Sequence, residues 1–360
     1  MLMKLRWFKL STIVALASVA GLAVAAPDPN ADEQEFLFYP PAPNLPRLQY
    51  LTKFSSAYDV STGKSAFRDF VFGGEENEEQ AVGKPYGLAI HDGEIFVVDT
   101  RGNGYVVFDF VNGKWRTVNG SGSGAMPKPI NITIDTDGTR YVTDTQRELI
   151  VVLDRKDRFQ RVLGKPGQFR PVDVAIAGDR LYVTDIEHQK IHVLDKGTGE
   201  TLMEFGEPGS GPGQFVDPTN LSIAPDGTVY VTDTNNFRVQ QFSPEGEYIR
   251  EIGSIGMQHG QFARPKGIDI DKEGRLYVVD SAFQNVQIFN PEGQTLMYFS
   301  GPGNGLGNIN MPTVVKVDYE NVDYFRKYAD PSFQIEYIVL VASQFGLNKV
   351  VVFGFGSLKD

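Results

Sequence analysis

Oxygen-bearing side chains occupy the same position in three consecutive repeats of this chain. Each stands two residues after a proline that opens a short β-like run: Asn131, Asp173 and Asn220. Amide and carboxylate oxygens are hard ligands that suit Ca²⁺, which takes about 6–8 oxygens and tolerates water. The trio therefore predicts a cation site on a central axis, with Ca²⁺ as the cofactor if there is one. One carboxylate compensates a divalent ion weakly, so a hydrogen-bonded collar around channel water is the alternative.

Histidine and serine do not form a recognisable catalytic pattern. The four histidines are His91, His188, His192 and His259. They show neither H-x-H nor H-E-x-x-H spacing, so they predict no histidine metal centre. We expect His188 and His192, which flank one loop, to lie at the surface. The glycine-serine run at 120–124 has no strand-to-helix pattern around it and predicts no serine nucleophile.

An aspartate ends the second β-like run of five repeats. These residues are Asp99, Asp144, Asp185, Asp233 and Asp280. Catalysis needs one unlike site, whereas an element that recurs in nearly every repeat is more simply structural. A carboxylate here can accept hydrogen bonds from backbone N–H groups of the following loop, as in an Asx turn. We therefore expect these aspartates to hold loops.

The elements that position these residues recur along the chain. The repeat prolines, spaced by 44, 42, 47, 47 and 47 residues, are Pro85, Pro129, Pro171, Pro218, Pro265 and Pro312. Within Asp217 to Phe242, three β-branched or aliphatic runs separated by tight turns predict three short antiparallel strands, and a fourth run follows. Four strands in about 40 to 50 residues are typical of a propeller blade. The sequence predicts an all-β fold, a six-bladed β-propeller with four-stranded antiparallel blades.

The sixth repeat is one strand short. Its last run is Val350 to Phe353, whereas Leu48 to Phe54 alternates apolar and polar residues and has no blade of its own. An open ring would expose a long hydrophobic sheet edge, which natural proteins avoid. We therefore predict that the N-terminal strand completes the C-terminal blade and closes the ring. An aromatic insertion at 321–333 is expected to brace this blade, and a binding surface is the alternative.

The first residues of the chain differ in composition from the repeats. Three basic residues precede the apolar run Thr12 to Ala25, which predicts a secretory signal peptide cleaved after Ala25 and a periplasmic or extracellular protein. An uncleaved anchor is the alternative, although the run is shorter than the roughly 20 residues of a spanning helix. We expect no integral membrane span after cleavage. The predicted organisation is a signal peptide at 1–25, an N-terminal strap at 26–46 and a propeller at 47–360, with the closing strand at 47–55, a crossover at 56–83 and the repeats at 84–360.

Charge and cysteine content exclude several partner classes. The chain has no cysteine, which excludes disulfides, thiolate metal sites and haem attachment through cysteine. Its formal net charge is −11 and becomes −14 if the leader is removed, which argues against nucleic acid and anionic membranes as partners. The loops expected at one end of the ring are nevertheless relatively basic. The candidate residues of this basic face are Arg101, Arg147, Lys190, Arg238, Lys266 and Lys349. They predict a protein partner or an anionic small molecule or glycan, and chance segregation of charge is the alternative.

The repeat pattern resembles the NHL repeat. The resemblance rests on Pro218, Asp226-Gly227, Tyr230 to Thr234, Asn236 to Gln240 and Gly213 to Phe215. It covers residues 85–353 and is weakest in the sixth repeat. Together with the N-terminal strap, the run at 84–87 also looks like secreted bacterial NHL-type propellers, some of which occur with multihaem cytochromes. The resemblance implies the fold but little function, because propellers include lyases, lactonases, RNA binders and scaffolds.

Two functions follow from these patterns. We favour a secreted, non-catalytic and monomeric propeller that serves as a protein-interaction or ligand-binding scaffold, with envelope redox proteins such as multihaem cytochromes among its candidate partners. The alternative is a cation-dependent lyase or lactonase-type hydrolase at the mouth of the central channel. Its cation would be held by the Asn131, Asp173 and Asn220 trio, with Lys266 or Arg264 near the mouth giving electrophilic assistance.

Overall fold

The computed structural model describes residues 36–60 and 81–359 of the 360-residue chain. The predicted signal peptide, the strap before residue 36 and crossover residues 61–80 lie outside the described residues. No helix in the described part of the chain has the length and apolar character needed to span a bilayer.

Six antiparallel sheets account for most of the described chain. Two N-terminal strands come first, β1 (Phe38–Tyr39) and β2 (Leu48–Phe54). Blade 1 contains β3 (Pro85–His91), β4 (Glu94–Asp99), β5 (Gly104–Asp109) and β6 (Lys114–Asn119). Blade 2 contains β7 (Pro129–Ile134), β8 (Arg140–Asp144), β9 (Leu149–Leu153) and β10 (Phe159–Leu163). Blade 3 contains β11 (Pro171–Ala177), β12 (Arg180–Asp185), β13 (Lys190–Asp195) and β14 (Thr201–Phe205).

The second half of the ring repeats this plan. A short parallel pair, β15 (Glu207–Pro208) and β16 (Gln214–Phe215), precedes blade 4. Blade 4 contains β17 (Pro218–Ile223), β18 (Val229–Asp233), β19 (Arg238–Phe242) and β20 (Tyr248–Ile252). Blade 5 contains β21 (Pro265–Ile270), β22 (Leu276–Asp280), β23 (Asn285–Phe289) and β24 (Thr295–Phe299). Blade 6 contains β25 (Asn310–Asp318), β26 (Phe333–Phe345) and β27 (Val350–Leu358), with helix α1 (Val322–Phe325) between β25 and β26.

The closure of the ring by the N-terminal strand is confirmed. Strand β2 pairs antiparallel with β27, from Leu48 opposite Phe355 to Phe54 opposite Val350. The sixth blade thereby gains its fourth strand, and β1 adds a fifth at its outer edge. The predicted fold class, a six-bladed β-propeller with four-stranded antiparallel blades, is therefore correct. The sequence did not predict the added edge strand, the parallel pair of β15 and β16, helix α1 or the greater length of β26 and β27.

The hydrophobic core lies between blades rather than in one centre. Six clusters of buried apolar side chains occur among the described residues, one at each junction of adjacent blades. The second and third strands of each blade are buried along nearly their whole length because a neighbouring blade covers each face. The outermost strands alternate between exposed and partly buried residues. Shape complementarity between blades therefore holds the innermost strands in fixed positions.

Aromatic residues fill the junctions between blades. The phenylalanines of the Gly-Gln-Phe loops are fully buried: Phe169, Phe215 and Phe262. The insertion in blade 6 packs on blade 1, where Phe325 lies 5.2 Å from Phe110 between ring centroids, and on the closing strand β2, where it lies 6.3 Å from Phe54. The bracing role that we expected for this insertion is therefore confirmed at the junction that the closing strand completes.

Candidate functional site

The strand-end aspartates hold loops in the way that the sequence predicted. Asp280 accepts backbone hydrogen bonds from Ala263 at 2.7 Å and from Ala282 at 2.9 Å. Asp144 does the same with Lys128 and Gln146. Each carboxylate thus ties the loop before its blade to the loop after its second strand. These loops all surround the same end of the channel, so the aspartates fix the rim of a candidate site.

A β-bulge follows the repeat proline in all six blades, because the pairing register shifts between this proline and a residue two or three positions later. A bulge re-aims the side chains beside it. The residue two positions after the proline consequently faces the neighbouring innermost strand. A Cβ on Gly87, for example, would lie 2.5 Å from Cα of Asn131 in the next blade. The residue directly after the proline lines the channel mouth instead.

A cavity of about 630 Å³ opens at this end of the channel. Five of its lining residues directly follow a repeat proline: Tyr86, Ile130, Val172, Thr219 and Lys266. The remaining lining residues come from the loops that the strand-end aspartates hold: Lys128, Thr145, Gln146, Glu148, Arg170, Ile186 and Asp217. Side chains from five blades therefore meet around one cavity, which is the arrangement expected of a small-molecule site.

Lys266 is the most unusual group in this cavity. Its side chain is partly buried, and among the described residues no hydrogen-bond acceptor or carboxylate binds its ammonium group. Thr232 donates a 2.7 Å hydrogen bond to the carbonyl oxygen of Lys266, which fixes the backbone at that point. Burial lowers the pKa of Lys266 to about 8, with help from Arg264, while Asp217 opposes the change. The cavity thus holds an available cation whose charge can change near neutral pH.

Most other ionisable groups of the cavity are already engaged or keep their protons; the exception is Lys128, which is exposed and has no side-chain partner among the described residues. Arg170 pairs with Glu187 at 2.9 Å and lies 3.6 Å from Glu148. Asp217 accepts a hydrogen bond from Asn235 at 2.5 Å. Burial raises the pKa of Tyr86, and nearby Asp173 raises it further, so its hydroxyl remains a hydrogen-bond donor. Lys266 and Tyr86 in the wall, together with the exposed Lys128, are therefore the groups best placed to contact a ligand.

The predicted trio comes together beneath the cavity, but as a buried cluster. Asn131 donates to Oδ1 of Asp173 at 2.7 Å and Asn220 donates to Oδ2 at 3.3 Å. Backbone N–H groups of Val174 and Leu221 donate to the same carboxylate at 2.8 and 3.1 Å. Burial raises the pKa of Asp173, although Lys316 and these hydrogen bonds act in the opposite direction.

This donor set does not fit Ca²⁺ as it is arranged. All four groups around Asp173 present N–H donors, and Oδ1 of Asn131 already accepts from the backbone N–H of Ile132. Only Oδ1 of Asn220 is a buried acceptor without a hydrogen bond in this trio. Calcium would need about 6–8 oxygens. The geometry corresponds to the hydrogen-bonded collar, built between blades because the bulge turns these side chains away from the axis.

Local partners engage four of the six residues of the predicted basic face. Arg238 is only 6% exposed and binds Asp233 and Glu251 within its own blade. Arg147 donates to carbonyl oxygens of Ser123 and Ala125.

The remaining four residues differ in their freedom. Lys190 pairs with Glu204 at 2.9 Å, and Lys349 donates to the carbonyl oxygen of Gly83 at 3.0 Å. Arg101 is exposed, and Lys266 alone of the six lines the channel-mouth cavity. The sequence could have identified this cavity from the residue after each proline, had the bulge been recognised.

Comparisons with known proteins agree with this architecture. Residues 224–299 match the family described as 6-bladed beta-propeller. The mouse peptidyl-glycine alpha-amidating monooxygenase is 29% identical over 171 residues, which cover 42% of this chain and 18% of that protein. The chain therefore spans less than a fifth of the length of this curated relative, and the likeness does not extend to the whole enzyme.

Solved structures of similar fold include two enzymes and a calcium-binding protein. A gluconolactonase from Xanthomonas campestris has a TM-score of 0.57 at 14% identity, covering 76% of this chain and 86% of that one. A virginiamycin B lyase from Staphylococcus aureus scores 0.52 at 15% identity, with 78% and 97% covered. Regucalcin from Agrobacterium tumefaciens, a calcium-binding protein, scores 0.53 at 13% identity, with 77% and 92% covered. At these identities the likeness concerns the fold alone: the chain is a six-bladed β-propeller.

Proposed function

We propose that this protein is a ligand-binding propeller that takes an anionic small molecule, such as a sugar acid, at the mouth of its central channel. The proposal rests on Lys266, whose ammonium group is partly buried in the cavity wall and has no counter-ion among the described residues. Burying a cation without a partner costs free energy. A bound anion would pair with the ammonium group of Lys266 and remove that cost. The position of this lysine is therefore explained if the site binds an anion.

The size and lining of the cavity support a small polar ligand rather than a large apolar one. Its volume of about 630 Å³ lies in the range of roughly 300–1,000 Å³ typical of small-molecule sites. Ile130 and Val172 contribute apolar surface to the wall, while the exposed amide of Gln146 and the hydroxyl of Tyr86 can bind ligand hydroxyl groups. A sugar acid has this mixture of ring carbons, hydroxyl groups and one anionic group.

Calorimetric titration with D-glucuronate, glucose 6-phosphate and neutral glucose tests the proposal. We expect the two anions to bind and Lys266→Gln to weaken them by about 10–100-fold, the effect of one lost charged hydrogen bond. Lys156→Gln, an exposed lysine outside the cavity, is the matched control and should bind as the unmodified protein does. Equal binding of glucose and the anions, or undiminished binding by Lys266→Gln, would argue against the site.

The lowered pKa of Lys266 also predicts a pH-dependent stability. Between pH 8 and pH 10.5 the folded lysine has lost its proton while the unfolded one keeps it, so the stability of the folded protein rises with pH in this window. Below pH 8 the buried charge is a cost of about 1–2 kcal/mol after allowance for solvent screening. Lys266→Met should therefore be stabilised at pH 7, and its advantage should shrink as pH approaches 10.5. Chemical denaturation at the two pH values measures this difference, and a constant difference would contradict the assignment.

A lyase or lactonase-type hydrolase is the second candidate. The observation that favours it is the same lysine, because a group with a pKa of about 8 can accept or return a proton near neutral pH. The enzymes of similar fold support this candidate only by analogy. The cation-dependent form of this proposal requires that chelation and Asp173→Ala abolish turnover. If both leave turnover unchanged, that form is rejected.

The cellular setting is part of the proposal as well. We infer from the predicted signal peptide that the protein is exported to the periplasm or beyond. The repeat pattern leads us to infer that its blades are of the NHL type. The resemblance to secreted bacterial NHL-type propellers makes a multihaem cytochrome of the envelope a candidate partner. Each of these, like the monomeric state, stays a prediction from the sequence. Signal-peptide processing, checked by the N-terminal sequence of the protein recovered from the envelope fraction, tests the first.

A further inference from the structure

Blade 3 carries a cluster of metal-binding side chains outside the channel-mouth cavity. Asp185 ends the second strand, His188 lies in the loop that follows, and His192 lies on the third strand. Oδ2 of Asp185 is 2.7 Å from Nδ1 of His188 and 2.9 Å from Nε2 of His192. One ligand atom from each of the three residues lies within 4.8 Å of the others. None of the three lines the channel-mouth cavity.

The sequence led us to expect His192 at the surface, and that expectation is wrong. The side chain is buried, with 2% of its surface exposed. Its Nε2 faces Asp185, and its Nδ1 lies 2.8 Å from Oε1 of Glu204 on the fourth strand. A neutral imidazole carries one N–H, so it can donate to only one of these carboxylates. The other nitrogen can face a carboxylate only if a proton or a metal ion lies between them. A metal-bound histidine commonly donates its second N–H to a carboxylate, which is the position of Glu204.

The neighbouring blade shows that the fold itself does not require histidine here. In blade 4, Asn236 and Gln240 stand at the same spacing after the strand-end Asp233, and both donate to its Oδ2, at 2.7 and 3.1 Å. Gln240 also holds the Gly-Gln-Phe loop, because it accepts from Gly213 and donates to Gln214. Amide side chains thus satisfy the same aspartate without titratable groups. The two imidazoles of blade 3 add metal-binding capacity that blade 4 lacks.

We propose that Asp185, His188 and His192 bind one divalent transition metal ion, for which Zn²⁺ is the probe, with Glu204 orienting His192. Imidazole and carboxylate ligands suit such ions. Metal–ligand bonds of about 2.0–2.1 Å place tetrahedral ligand atoms about 3.3 Å apart, so Oδ2 of Asp185 must move about half an ångström away from each histidine nitrogen. His188 is exposed and can adjust to that movement. Because the protein supplies three ligands, the fourth position of a tetrahedral ion is open to water.

The charges around the cluster are compatible with a divalent cation. Asp185 and Glu204 together supply two negative charges, and Lys190 offsets part of the charge of Glu204 through its 2.9 Å ion pair. Asp185 also accepts backbone hydrogen bonds through its other oxygen, Oδ1, from Arg170 and Glu187. Its Oδ2 is therefore the atom left for the metal, and the loop remains held by Oδ1 when the metal binds.

The test is Zn²⁺ titration of the full chain after chelator treatment, followed by calorimetry and by the melting temperature. We expect one Zn²⁺ per chain and a higher melting temperature. The variant His188→Asn with His192→Gln copies blade 4, so it should fold, and it should lose more than about 100-fold in affinity and the thermal shift. Glu204→Gln, a change to a positioning residue, should cost about 10–100-fold. The control His259→Gln should bind as the unmodified protein does.

Two outcomes overturn this proposal. The first is a chain that takes up no Zn²⁺ with the four histidines intact. The second is a His188→Asn, His192→Gln variant that binds Zn²⁺ with unchanged affinity, which would place the ion elsewhere. If the double variant folds poorly, His188→Asn alone decides the matter, because this exposed loop residue can be changed without opening the core. Neither outcome depends on the ligand of the channel mouth, so each proposal is tested independently of the other.

Discussion

A chain that begins at Ser55 is expected to lose its stable fold, because it lacks the strand that closes the ring. Leu48, Leu51 and Phe54 are buried in the last blade and its junction, and each such side chain contributes about 1.5–3 kcal/mol. Their joint loss of about 4.5–9 kcal/mol is comparable to the whole stability of many domains. The apolar strand β27 would also become an exposed edge, which favours aggregation. Thermal denaturation and light scattering measure both effects.

A chain that begins at Phe36 is the matched control for this truncation. It keeps β1 and β2 with all their pairings to the last blade, so its melting temperature should match that of the full chain. Phe54→Ala gives a graded form of the same test. Its ring packs against Phe108 at 5.5 Å between centroids, and its removal should cost about 3–5 kcal/mol. A soluble and equally stable chain from Ser55 would contradict the closure.

Asp173→Ala is expected to destabilise the protein by about 3–5 kcal/mol. The substitution leaves the amide groups of Asn131 and Asn220 and the backbone N–H groups of Val174 and Leu221 without their acceptor. Buried donors that lose a partner carry the full cost of desolvation. Asp173→Asn keeps one acceptor oxygen and should cost less, about 1–3 kcal/mol. Urea denaturation of both variants provides the measurement.

Two further observations separate the collar from a cation site. Asp179→Ala, a change at an exposed aspartate in the same blade, should leave stability nearly unchanged and serves as the control. Addition of Ca²⁺ after chelation should leave the melting temperature of the unmodified protein unchanged, because the trio presents N–H donors to Asp173. A rise in melting temperature with Ca²⁺ that Asp173→Ala removes would support the cation site instead.

The repeat pattern predicted the fold well because it reports local features that tertiary contacts do not alter. The Asp-Gly turns, the β-branched runs and the strand-end aspartates each specify a strand boundary. The closing role of Leu48 to Phe54 could also be predicted, because an exposed apolar sheet edge must be paired or covered to avoid aggregation. The edge strand Phe38–Tyr39 could not be predicted, because a proline-rich two-residue strand carries no periodic signal.

The site was predicted less well, for two physical reasons. A bulge after each repeat proline reverses which residue faces the channel, so Asp173 lies between blades while Lys266 lies at the mouth. Periodicity alone cannot locate a bulge. Long basic side chains also find local partners: Arg238, expected on a docking face, is buried in an ion pair with Asp233. The burial of His192 likewise follows from strand pairing that single-residue spacing does not report.

The pKa of Lys266, measured by the pH titration of ¹³C-methylated lysines with Lys266→Gln to assign its resonance, tests the account most directly. We predict a pKa of about 8 in the free protein and a higher value when D-glucuronate is bound, because an anion in the cavity stabilises the protonated lysine. A pKa close to the ordinary lysine value of about 10.4 that D-glucuronate leaves unchanged would contradict the proposal that Lys266 binds an anionic ligand at the channel mouth.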